Sequence, residues 1–232
     1  MELPVASAAT RLGVDGSRVR KLLREGVLPG RRVGRLWLIR SEDLALLESR
    51  KSRAGRPLAP ARAWGLLDLL EGGRAPWLSP VARSQTKQLL RRLSGADADH
   101  WRSGLRARNE VLRCRAHPAA IRRLLGRPGV LPAGDSEAAR RGIDLVVLGA
   151  IPRAYVPPHV WPAVSKRLMI SGSASEPNLI VLLPRTVWPF ERQGEVSRAA
   201  LAADLLDSAE PRAVNSGLAI LNDLSSAVVG TA

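Results

Sequence analysis

The sequence is poor in the residue types that most chemistry requires. It has a single cysteine, Cys114, among 232 residues, so no intramolecular disulfide can form. Cys114 lies between Arg113 and Arg115, which could lower its pKa, but a small, buried apolar role is the expectation. Its three histidines, His100, His117 and His159, are isolated, and zinc needs ligands clustered at short spacing. No GxxxxGK[ST] run occurs, so there is no phosphate-binding P-loop. Asp144 opens an apolar stretch, as a nuclease carboxylate would. The second acid and the lysine that hold the cation and activate water are missing, with Arg153 and Tyr155 in their place. No serine has a patterned histidine and acid. No catalytic activity, metal or cofactor is therefore expected. There is no apolar run long enough to span a bilayer and no charged-then-apolar signal at the N-terminus, so a cytoplasmic location is expected. Aromatic residues are only 3% of the chain, six of them tryptophan with one tyrosine and one phenylalanine. Core and junction packing accounts for most of the tryptophans. Trp37 either faces outward or anchors a hairpin.

Basic charge is abundant. Thirty-six Lys and Arg oppose 21 Asp and Glu, a net +15. Residues 1–53 carry a net +6, residues 54–128 a net +10 and residues 129–232 a net −1. The electropositive field thus belongs to the first half, where a polyanion would be drawn. Arginine far exceeds lysine, as translation of a GC-rich genome would give, so part of this charge is compositional. Hydrophobic content of 45% is that of a globular chain.

Residues 4–48 organise the sequence. Val5, Ala8, Ala9 and Leu12 recur at i, i+3, i+4 and i+7, one apolar face of a short helix with Pro4 at its first position. Gly13 supplies the left-handed turn. Asp15 caps a second helix, on which Val19, Leu22 and Leu23 point one way. Ser17, Arg18, Arg20, Lys21 and Arg24 largely point the other. Gly26 and Pro29 end it. Two short strands, 31–33 and 36–39, flank Gly34-Arg35, and Ser41 caps a third helix with Glu42 and Asp43 in its first turn. A short helix fits the major groove, where Arg and Lys reach guanine edges or phosphates. Arg35 at the hairpin tip would lie along the backbone or enter the minor groove.

This order resembles the MerR/excisionase-type winged helix-turn-helix DNA-binding domain. The matching positions are Ala8-Ala9, Leu12-Gly13-Val14, Arg24 to Pro29 (REGVLP), Val33-Gly34-Arg35 and Ser41 to Leu44 (SEDL). Asp15 stands where the family has a small polar residue. It would repel phosphate if it faced DNA, and so is assigned to capping. The resemblance implies double-stranded DNA as partner, read by Ser17, Arg18, Arg20, Lys21 and Arg24 in the major groove. Arg31, Arg32 and Arg35 would hold the backbone.

Further along, 51–60 reads as a linker rich in Arg, Gly and Pro. Residues 61–128 read as helical: an apolar helix around Leu66 to Leu70 that stops at Gly72-Gly73, then helices over 81–93, 101–115 and 118–125. Arg102, Arg106, Arg108 and Arg115 on the third of these do not line one stripe and are expected on a solvated surface. From Val130 the texture becomes α/β. Strands are expected over 143–148 and 179–183, with 153–156 pairing to the first of them, and helices over 160–168, 199–206 and 213–224. Residues 113–224 also resemble the antitoxin/repressor component of AbiE-type abortive-infection systems. That resemblance implies a nucleotidyltransferase-like toxin as partner and repression of the protein's own operon.

The expected fold is α+β. It comprises a winged helix-turn-helix at 1–50, a linker at 51–60, a helical segment at 61–128 and a small α/β regulatory or partner-binding domain at 129–232. The expected function is that of a sequence-specific DNA-binding transcriptional regulator, an autorepressor or the antitoxin of a toxin–antitoxin pair. Homodimerisation or cooperative binding is expected with it. An architectural recombination factor of the excisionase kind is the alternative.

Overall fold

The computed structural model describes residues 2–34, 36–41, 43–44, 57–145, 150–172, 174, 176–191 and 194–230, the side chains of 229 and 230 excepted. The chain divides into two compact units, Met1–Ala54 and Gly55–Ala232.

The first unit begins with strand β1 (Glu2–Pro4), followed by helices α1 (Val5–Leu12) and α2 (Gly16–Arg24) and strands β2 (Arg31–Val33) and β3 (Leu36–Arg40). The strands form an antiparallel sheet in the order β1-β3-β2. Strand β1 is too short to show in the sequence, and Pro4 is its last residue and the N-cap of α1 rather than the first helical position. Gly13 ends α1 in the left-handed region at φ 62°, with its amide on Thr10 and that of Val14 on Ala9. Ala8, Ala9, Val19, Leu22, Leu23, Leu28, Ile39 and Leu44 form the core. Trp37 packs against that core, so it anchors the hairpin. The third helix falls largely outside the described residues. Ser41, Asp43 and Leu44 are helical, and Arg11 donates to the Ser41 hydroxyl at 3.0 Å.

The second unit is a four-stranded mixed sheet in the order β4-β7-β6-β5: β4 (Asn109–Cys114), β7 (Leu179–Pro184), β6 (Arg153–Tyr155) and β5 (Leu131–Ala133). Strands β6 and β7 run parallel and the outer pairings are antiparallel. Successive side chains alternate between faces. Tyr155 and Leu182 enter one core, and Ala154, Val181 and Leu183 the other. Helices α6 (Pro118–Leu125) and α8 (Trp161–Arg167) cover the second face through Ile121, Leu124 and Val164. The first face is covered by α3 (Pro60–Leu70), α4 (Pro80–Leu93), α5 (Ala98–Leu105), α7 (Gly134–Arg140), α9 (Arg198–Leu206) and α10 (Pro211–Gly230). Trp64 and Trp101 are fully buried there.

Three expectations are corrected. The 101–115 helix is a short helix, α5, followed by the edge strand β4, whose pairing partner β7 lies some 70 residues onward in the chain. Among 143–148, residues 143–145 are not strand and 146–148 lie outside the described residues. Strand β6 pairs instead with β5 and β7. A boundary near 128 has no counterpart: α3, α5 and α10 bury side chains in one continuous core with β5, β6 and β7.

Candidate nucleic-acid interface

Helix α2 is built to leave one face free. Asp15 accepts from the amides of Ser17 at 2.8 Å and Arg18 at 3.0 Å, and also from the Ser17 hydroxyl. The Ser17 hydroxyl bond, followed by the amide of Arg18, holds the Asp15 carboxyl below its ordinary pKa. The cap faces its own helix, as the capping assignment requires. Val19, Leu22 and Leu23 are buried, while Ser17, Arg18, Arg20, Lys21 and Arg24 are exposed.

At about 100° per residue, Ser17, Arg20, Lys21 and Arg24 fall on one stripe, i, i+3, i+4 and i+7. Arg18 lies about 100° round from Ser17, at the stripe's flank. The stripe is about 10 Å long, at 1.5 Å per residue, comparable with the width of a B-DNA major groove. Lys21 makes a loose pair with Glu25 at 3.8 Å, both side chains about half exposed. The Arg24 Nε leans on the Arg20 carbonyl at 3.4 Å.

The hairpin separates its arginines. Arg31 is opposite Leu38 and Arg32 opposite Trp37. Opposed residues share a face and neighbours alternate. Arg32 therefore lies on the face of Trp37 and the buried Ile39, and Arg31 on the outer face. There Arg31 binds Glu2 with two prongs, Nε to Oε1 at 2.8 Å and Nη2 to Oε2 at 2.7 Å. Arg35 lies outside the described residues. Gly30, just before β2, lies close against α2: a Cβ there would stand 2.5 Å from Leu23 Cδ2 and 3.2 Å from the Leu38 carbonyl. The hairpin thus closes directly on the buried side of α2.

No protein-family model, no curated protein and no solved structure matches the chain.

In the second unit Arg106 and Arg115 of the 101–115 stretch are exposed, as expected of a solvated set, but Arg102 and Arg108 are not. Arg108 is 3% exposed and donates from Nη2 to Asp204 and to Asp207, each at 2.9 Å. Burial pushes its pKa down, but Asp207, Tyr155 and Asp204 together raise it. Arg102 donates to the Leu206 carbonyl at 2.8 Å and to Asp99 at 2.7 Å. Local sequence carries no sign of the Arg108 network, because its partners are 96 and 99 residues away. Cys114 is fully buried, and burial pushes its thiol up rather than down. His117 caps α6, accepting from the Ala119 amide at 3.2 Å. Among the described residues no group of three or more His, Cys, Asp or Glu could hold a metal, and no helix is long and apolar enough to cross a membrane.

Proposed function

We propose that this chain is a sequence-specific double-stranded-DNA-binding transcriptional regulator that represses its own operon. Its first unit would act as a winged helix-turn-helix of the MerR/excisionase type. The observation that carries this reading is α2. Its apolar face is closed into a small core by Val19, Leu22 and Leu23, and its other face holds the exposed stripe Ser17, Arg20, Lys21 and Arg24. Guanidinium groups donate in pairs to guanine O6 and N7, and ammonium and hydroxyl groups reach phosphates. Arg32 and Arg35 on the hairpin would hold the adjoining backbone, with Arg31 joining them once released from Glu2.

One such module buries roughly 600–1,000 Å² of protein surface, at the low end for selective binding. A second copy of the chain on a repeated half-site would supply the rest. The second unit would carry the protein partner, a second copy or a nucleotidyltransferase-like toxin.

The test is duplex binding by fluorescence anisotropy with wild type and with Arg20→Ala/Arg24→Ala. The reading expects the variant to lose about 30-fold or more in binding to the operator, each of the two base contacts being worth roughly 1–3 kcal/mol. Binding to scrambled duplex should change far less. Equal losses on both duplexes would reduce α2 to a phosphate-binding surface.

A further inference from the structure

Helix α4 repeats the exposed face of α2. Residues 17–24 read SRVRKLLR and residues 84–91 read SQTKQLLR. Ser, Leu, Leu and Arg are identical, and Arg20 is matched by the cation Lys87. The structure gives the two windows the same orientation. Val19 and its counterpart Thr86 are both 0% exposed, and Leu23 and Leu90 are both buried. Ser84, Lys87, Gln88 and Arg91 are exposed on a stripe with the spacing of Ser17, Arg20, Lys21 and Arg24, flanked by exposed Gln85 and Arg92. Both helices are fixed from beneath. Ser79 caps α4 by accepting from the Ala82 amide at 3.2 Å, and the Thr86 hydroxyl accepts from Arg62 of α3 at 3.1 Å.

The charge on α4 is unopposed. No Asp or Glu occurs anywhere from Gly72 to Ala96. Among the described residues, Lys87, Arg91 and Arg92 have neither an ion pair nor a hydrogen-bonded acceptor. A surface of cations, amides and a hydroxyl without a carboxylate suits the phosphates and base edges of a duplex, and does not suit a basic protein or a cation.

We infer that α4 is a second DNA-contacting helix, so that one chain engages duplex DNA through both of its units. This rests on the reading of the protein as a DNA-binding regulator. It adds a second basic contact to the one that the first module would make.

The test uses the full chain on a fluorescent operator duplex, with binding measured across a salt series. Lys87→Gln/Arg91→Gln/Arg92→Gln removes three charges from α4. Arg122→Gln/Arg123→Gln/Arg127→Gln removes three exposed charges on and just after α6 and serves as the control. At about 0.9 counterions per phosphate contact, the α4 variant should flatten the salt slope by about 3, and the control by less than about 1. The affinity lost between about 50 and 200 mM salt should then shrink about 40-fold in the α4 variant.

Equal slopes for the two variants would overturn the inference and leave the role of α2 untouched. An unchanged slope in the α4 variant would do the same. A loss in the α4 variant without one in Arg20→Ala/Arg24→Ala would keep the inference and remove α2 from the interface. No duplex binding by the wild type would sink both.

Discussion

Glu2 and Arg31 clasp each other with two hydrogen bonds, 2.8 and 2.7 Å, on the outer face of the first unit's sheet. The pair occupies a guanidinium that the hairpin would otherwise offer to DNA. The Arg31 bond holds the Glu2 carboxyl below its ordinary pKa, and the same bond raises that of Arg31. Glu2→Gln should therefore tighten duplex binding and steepen the salt slope by about one, since it removes a negative charge and frees Arg31. Anisotropy titrations of the variant and wild type check this. An unchanged slope would mean that Arg31 stays off the DNA.

Asp15 should make the first unit acid-sensitive. Its folded-state pKa lies below the unfolded value, with the Ser17 hydroxyl as the main cause. The stabilisation is fully present above the unfolded pKa and is lost as pH falls through the folded one. Melting of the wild type should show this loss below about pH 4. Asp15→Asn retains an accepting oxygen but does not titrate, so its melting temperature should vary less over the same range. Parallel curves for the two would contradict the capping role.

Gly217 should reverse the ordinary helix rule. An exposed helical glycine replaced by alanine gains about 1 kcal/mol. At Gly217 a Cβ would stand 2.6 Å from the Ala202 carbonyl oxygen and 2.9 Å from Leu205 Cβ, where α9 and α10 meet. Neither neighbour is the free end of a flexible side chain. Gly217→Ala should destabilise the second unit by about 1–3 kcal/mol. Urea unfolding followed by tryptophan fluorescence checks it, and a gain in stability would refute the close contact.

Arg108 and Asp204 are 3% and 1% exposed, and the Tyr155 hydroxyl also donates to Asp204 at 2.6 Å, so removing the Asp204 carboxylate leaves Arg108 with Asp207 alone and the Tyr155 hydroxyl without its acceptor. Asp204→Ala should cost about 3–5 kcal/mol. Arg108→Met combined with Asp204→Leu should recover part of that loss, because the two apolar side chains need no partner, while the buried Tyr155 hydroxyl and Asp207 still lose theirs. A double variant as weak as the single would show that the pair contributes more than mutual neutralisation.

The first unit was largely legible in the sequence. Its signals are local: apolar spacing in α1, the Asp15 cap, Gly13 and Gly26, and the alternation that buries Ile39 and packs Trp37. The α2 stripe follows from that same spacing. The Glu2–Arg31 clasp did not, because it depends on β1, three residues that gain strand geometry only by pairing with β3. The second unit's later helices and β7 were also visible as apolar runs. Strand β4 was not. Leu105 and Leu112 lie seven apart and imitate a helix face, while the strand pattern of Leu112 and Cys114 is decided by β7, far along the chain. The burial of Arg108 was hidden for the same reason. The likeness of α2 and α4 was present in the sequence throughout, but it acquires meaning only with Val19 and Thr86 both buried.

The most direct test of the central claim is titration of the full chain on its own promoter fragment, against scrambled duplex of equal length, at several salt concentrations. A preference for the promoter of at least about 10³ that persists near physiological salt is the expected result, with a protected operator on footprinting. Binding that is salt-sensitive but indifferent to sequence would contradict it and leave the arginines as a source of electrostatic adhesion alone.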